Sequence, residues 1–186
     1  MSTIIILATV VLVIVLWVVW AYNRMVRLRN QVDEAWSGID VQLLRRYDLV
    51  PNLIAAVKGY MSYETSALER ITGLRASREL PAGQRAEKES GLSRSIARLF
   101  AVAEDYPDLK ASENIAQLHE NLVEIEDQIQ YSRRYYNGSV RDNNNFVESF
   151  PAMLVATAFG FRQAEFFEIE LASMRENPEV KLDQTN

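Results

Sequence analysis

Thr3 to Tyr22 is a run of 20 residues without a charge, and Arg24, Arg27 and Arg29 lie just beyond it. At ~1.5 Å rise per residue, a helix of that length reaches ~30 Å, the hydrocarbon thickness of a bilayer. A helix that is apolar all round is buried in a protein core or in lipid, and core helices rarely stay so for 20 residues, which favours lipid. Ile4, Ile5, Ile6, Leu7, Val10, Leu12, Ile14 and Leu16 supply the bulk of the run, and Trp17, Trp20 and Tyr22 fall where an aromatic interface belt belongs. Residues 1–23 are therefore predicted to be a membrane anchor. A cleaved signal peptide is the alternative, because Val19-Trp20-Ala21 loosely fits a cleavage site. Such a peptide needs a basic leader and an apolar region of only ~7–15 residues. Met1-Ser2-Thr3 has no charged side chain, and this run is longer.

All 45 Asp, Glu, Lys and Arg residues lie beyond position 22, so the rest of the chain carries the whole formal charge of −5. Nucleic-acid affinity comes chiefly from neutralising phosphates, so a nucleic-acid partner is not expected of an acidic domain. The chain has no cysteine, which excludes disulfides and thiolate chemistry. Arg24, Arg27 and Arg29 form the one single-sign juxtamembrane cluster. Clusters of that kind stay on the cytoplasmic side. The predicted orientation is N-terminus out, with the following domain in the cytoplasm.

Beyond the anchor the apolar positions keep a helical period. Leu28, Val32, Ala35 and Ile39 form a heptad-like seam, widened by Trp36 and Leu43. No turn signal separates them from Tyr22, so one helix is expected from the membrane to about Tyr47. Asp48 then reads as a cap and Pro51 as a first-turn proline of a second helix, with Leu53, Val57, Tyr60, Ala67, Ile71 and Leu74 on its seam. The expected helices span about 24–47, 49–76, 85–104 and 112–150, with a short C-terminal helix over 152–168. The loop over 77–83 contains Pro81 and Gly83, and Ser112 is a plausible cap of the fourth helix. No stretch alternates like a strand. The fold class is all-α, with the anchor continuous with an antiparallel four-helix bundle over 24–168. From Glu165 on, six acids face only Arg175 and Lys181, and 169–186 reads as an acidic, partly disordered tail.

Catalytic and metal-binding patterns are missing. Di-iron bundles need two Glu-x-x-His pairs, and the single histidine, His119, follows Ala116 at that spacing. Metalloprotease, nucleophile-elbow and phosphate-loop motifs are also absent. No catalytic residue, metal ligand or cofactor is expected, and His119 reads as solvated surface. Two polar clusters stand out. Arg45, Arg46, Asp48 and Asn52 lie at the expected first turn. Arg134, Asn137, Arg141, Asp142 and Asn145 run along the end of the fourth helix, beside Arg133 and the Asn143-Asn144 pair. Interhelical hydrogen bonds and ion pairs are the plain reading of both clusters. A groove for a peptide or partner helix is the alternative.

Six of the seven phenylalanines fall within 146–167, and Phe150 to Phe161 is uncharged. Twelve residues are too few to cross a bilayer. The segment reads as a short helix closing the bundle. Alternatively Phe150, Met153, Leu154, Phe159, Phe161, Phe166 and Phe167 form an interaction surface for self-assembly or for a headgroup layer.

These residues resemble the LemA family. The likeness lies in Tyr22-Asn23, in Asn30 to Trp36, in Ile39 to Leu43, and in Arg45-Arg46-x-Asp48-Leu49-Val50-Pro51-Asn52-Leu53. Tyr106 to Ala111 with Glu113-Asn114, and Tyr136-Asn137, Val140-Arg141-Asp142 and Glu148 to Pro151, extend it over nearly the whole chain. It departs at Gly38, where a better helix former is usual, and at Asn144, where a tyrosine is more typical. The resemblance implies a bacterial protein with one N-terminal membrane helix, a cytoplasmic-type helical bundle and no settled activity; the expected location is the bacterial inner membrane. Some relatives are linked to envelope function and to membrane organelles. The expected function is a membrane-tethered scaffold that self-associates, with the bilayer and a second copy as partners. Membrane remodelling, or regulation of a partner membrane enzyme, is the alternative.

Overall fold

The computed structural model describes residues 1–58, 82–103, 106–107 and 111–167. Among these the fold is all-α: α1 (Ser2–Lys58), α2 (Ala82–Ala103), α3 (Glu113–Glu148) and α4 (Ala152–Phe159), without a strand. Residues 59–76 of the expected second helix, with Tyr60, Ala67, Ile71 and Leu74, lie outside the described residues. So do 77–81 of the expected loop and the tail over 169–186.

The first correction concerns α1. It does not end near Tyr47 but runs 57 residues, ~85 Å, with Pro51 inside it. Its buried positions explain why. Ala21, Met25, Leu28, Val32, Ala35 and Ile39 step by four and three, and Leu43, Arg46, Val50, Leu53 and Val57 carry the same stripe onward. An interior proline costs ~3 kcal/mol, whereas fully burying one Val or Leu side chain contributes ~1.5–3 kcal/mol. Val50, Leu53 and Val57 together outweigh the proline. Asp48 is thus an exposed mid-helix residue and caps nothing.

Contacts between the helices define their directions. Along α1 and α3, Trp20 meets Phe146 and Trp36 meets Tyr136, while Arg46 bonds Glu126, so the two run antiparallel. Along α2, Arg85 pairs with Asp40, and Glu89 and Ser93 with Arg46, so α2 is parallel to α1. The main core lies between these three helices, with Ile39, Leu43, Leu53, Leu92, Leu99, Leu122 and Ile129 among its buried members. Ser112 occupies the position before α3 without a side-chain capping bond.

The second correction concerns the C-terminal helix. It spans Ala152–Phe159, not 152–168. Gly160 takes a left-handed φ of 72°, and the Phe161 N–H bonds back to the Ala156 carbonyl at 3.0 Å. This is a Schellman end, which a residue without Cβ closes at no steric cost. Phe161 to Phe167 then leave the helix without resuming one.

Candidate functional site

The membrane-proximal end gathers most of the residues singled out from sequence. Ile4, Ile5, Ile6, Leu7, Val10, Leu12, Ile14 and Leu16 project outward from α1, exposed and without a protein neighbour to cover them. One turn further the situation changes. Trp17, Val18, Ala21 and Met25 pack against Val147 of α3 and Ala152, Val155 and Ala156 of α4. Tyr22 sits edge-on to Phe159 and Phe161, with centroids 5.1 and 5.5 Å away, and Trp20 meets Phe146 at 5.9 Å. Arg24, Arg27 and Arg29 come next and are exposed. The Arg29 guanidinium lies 5.8 Å from the Phe161 ring centre.

The candidate interaction surface separates into two groups. Phe150, Leu154 and Phe159 are 79%, 61% and 57% exposed, and Met153 and Phe166 are also open. Phe161 is half-buried. Phe167, a member of the alternative interaction surface, is 1% exposed and belongs to the core, between the Trp36 ring at 5.7 Å and the Arg133 guanidinium at 5.5 Å.

A ladder of amides draws Phe167 inward. The Asn137 side chain donates to the Phe167 carbonyl at 3.2 Å and accepts from its N–H at 2.9 Å. Asn144 does the same for Ala164, at 3.0 and 2.8 Å. Asn143 reaches the Arg162 carbonyl at 3.5 Å, and the Tyr136 hydroxyl donates to the Glu165 carbonyl at 2.8 Å. Burial, then the nearby Glu165 and Asp33 carboxylates, raises the Tyr136 pKa above its ordinary value, which keeps the phenol protonated as a donor. The strap over 161–167 is thereby held as a neighbouring strand would hold it. Arg29, Val32 and Asp33 of α1 share a cavity of about 280 Å³ with Asn143 and the start of this strap.

Of the second polar cluster only Asn137 works in the ladder; Arg134, Arg141, Asp142 and Asn145 are exposed. The buried pair Asn143 and Asn144 does the rest. Their place between Val140 and Val147 on the buried stripe of α3 is the signal that would have marked them.

The first cluster divides likewise. Arg45, Asp48 and Asn52 face solvent, whereas Arg46 is 2% exposed. Its guanidinium binds Glu89 of α2, Ser93 at 2.7 Å and Glu126 of α3 at 3.0 Å. Tyr47 also donates to Glu89, and Ser93 to Glu126 at 2.9 Å. An apolar cavity of about 360 Å³ opens beside this network, between Phe100 and His119 and the side chains of Ile96 and Leu122. His119 is exposed, its ring 4.4 Å from that of Phe100. Among the described residues no group of three or more His, Cys, Asp or Glu is placed to hold a metal ion.

The LemA family profile matches residues 35–182. This chain belongs to the LemA family. This LemA-family chain is 25% identical over 175 residues to Magnetosome protein MamQ 2 of Paramagnetospirillum magneticum, covering 79% of the chain and 64% of the relative. It is 23% identical over 174 residues to Magnetosome protein MamQ of Magnetospirillum gryphiswaldense, covering 78% and 64%. With Protein LemA of Metamycoplasma hominis it shares 26% identity over 149 residues, covering 78% and 68%. It thus spans less than two thirds of the length of the MamQ relatives. Its family and the apolar segment of α1 describe a membrane-associated helical protein.

Proposed function

We propose that this LemA-family chain is a membrane-anchored scaffold that self-associates laterally through its helical domain and has no catalysis of its own. One observation carries the reading: α1 passes without a break from the apolar segment into the core, so the domain is rigidly coupled to its anchor. Confinement to a plane raises effective concentration, and weak lateral contacts then suffice. Val123, Tyr131 and Tyr135, exposed on α3, supply apolar area for such contacts. The proposed orientation follows the three juxtamembrane arginines, N-terminus out and domain in the cytoplasm of a bacterial inner membrane. A partner membrane protein fits the same surface.

Native electrophoresis of the full chain in mild detergent, with and without crosslinking, tests self-association. Oligomer bands that weaken in a Tyr131→Glu, Tyr135→Glu variant are expected; a monomer under every condition overturns the scaffold. For orientation, Ser2→Cys should react with an impermeant thiol reagent in intact cells and Glu120→Cys should not. The opposite pattern reverses the topology.

The magnetosome names of the MamQ relatives, with the exposed apolar face of α4, favour a second reading, in which the chain serves a specialised membrane compartment. Fractionation of membranes with uniform distribution of the chain would remove it.

A further inference from the structure

We infer that α4 and the turn before it form a membrane foot: Phe150, Leu154 and Phe159 enter the headgroup–acyl boundary of the leaflet on the domain side, beside the emerging α1. This rests on α1 as the anchor, and it goes beyond the scaffold in assigning α4 a lipid ligand.

Position supplies the first argument. The buried face of α4, Ala152, Val155 and Ala156, is seated with Trp17, Val18, Ala21 and Met25 of α1. Trp17 lies five residues before Tyr22, the end of the uncharged run. At ~1.5 Å per residue, α4 reaches ~7 Å below that end, within the ~5–10 Å depth at which interfacial helices rest. Whatever covers Trp17 on its remaining sides also meets α4.

Chemistry supplies the second. Phe150 to Phe161 has no charge, and the one polar side chain on α4, Thr157, spends its hydroxyl on the Met153 carbonyl at 2.8 Å. The side chains of α4 therefore offer water no free donor. Within 24–29 and 142–162 the exposed cations Arg24, Arg27, Arg29 and Arg162 outnumber the exposed acids, Asp142 and Glu148, and Glu148 accepts from Gln163. A net positive end is drawn to anionic headgroups, whereas a second copy of it is repelled. An apolar face beside this net cationic end, next to the end of a spanning helix, fits lipid.

The chain lacks cysteine, so single labels are unambiguous. Leu154→Cys, Leu12→Cys and Glu120→Cys, each carrying an environment-sensitive fluorophore, would be reconstituted as full chains in phosphatidylcholine–phosphatidylglycerol vesicles. Quenching would be read with a spin label near the carbonyl end of a lipid acyl chain and with a water-soluble nickel complex. For Leu154 the lipid-borne quencher is expected to remove most of the fluorescence and the aqueous one little; the exposed Glu120 position should show the reverse. Leu154 behaving like Glu120, while Leu12 stays inaccessible to nickel, overturns the foot and leaves the anchor standing. Nickel reaching Leu12 overturns the anchor and the foot together. Leu154 shielded from both quenchers, with self-quenching that grows with protein-to-lipid ratio, shows a second copy on this face and also overturns the proposal.

Discussion

At the scale of single residues, Arg46 shows how one charge can organise three helices. It occupies a position of the buried α1 stripe where Leu or Val would be expected, and its partners come from α2 and α3. A buried ion pair contributes little net stability, but removing one partner strands the other and costs ~3–5 kcal/mol. Arg46→Met should therefore lower the melting temperature by roughly 6–20 °C, taking ~2–4 °C per kcal/mol for a domain of this size. Adding Glu89→Met should recover part of that loss, since it removes the buried carboxylate that paired with Arg46, at the expense of the Tyr47 hydroxyl's bond to it; Glu126 is more exposed and keeps Ser93 and Gln130 as donors. Thermal melts of the single and double variants check this, and equal losses in both contradict the account. The sequence marked Arg46 as polar and structural but grouped it with Arg45, Asp48 and Asn52, which face solvent. Glu89 and Glu126 stand 43 and 80 residues away, and no local pattern links them to it.

Helical elements were the most legible part of the chain, and their ends the least. The stripes of α1 and α3 read directly from spacing because burial of one face repeats every three to four residues. The boundary at Asp48 was misplaced because a cap and a first-turn proline are local signals, and the local signal lost to the core around Val50 and Leu53. Gly38 belongs to this scale as well. It lies exposed inside α1, and an added Cβ there meets nothing within 4 Å. Gly38→Ala should stabilise the domain by up to ~1 kcal/mol through helix propensity alone. A denaturation midpoint that falls instead would show a contact at Gly38 that the helix itself does not explain. Gly160 is the opposite case: with φ 72°, a side chain there strains the end of α4, and Gly160→Ala should cost ~1 kcal/mol.

For the whole molecule, the governing fact is that anchor and core share one helix. The outward-facing apolar segment before Trp17 has no covering protein, so the intact chain should stay with the pellet when membranes are washed in alkaline carbonate. Release into the supernatant would contradict membrane anchoring altogether. The strap over 161–167 ties α4 to the main core, because its Phe167 packs beside Trp36 while α4 packs against Trp17, Val18, Ala21 and Met25.

The sequence by itself determined the all-α class, the apolar anchor, the absence of catalytic motifs and the family, because each depends on composition or on short-range period. Only the tertiary structure decided which charges are buried, that α1 runs through Pro51, and that Phe167 turns inward while Phe150, Leu154 and Phe159 stay out. Those outcomes depend on what lies opposite a side chain, and the opposing groups here come from other helices or from a strap about 20–30 residues along the chain.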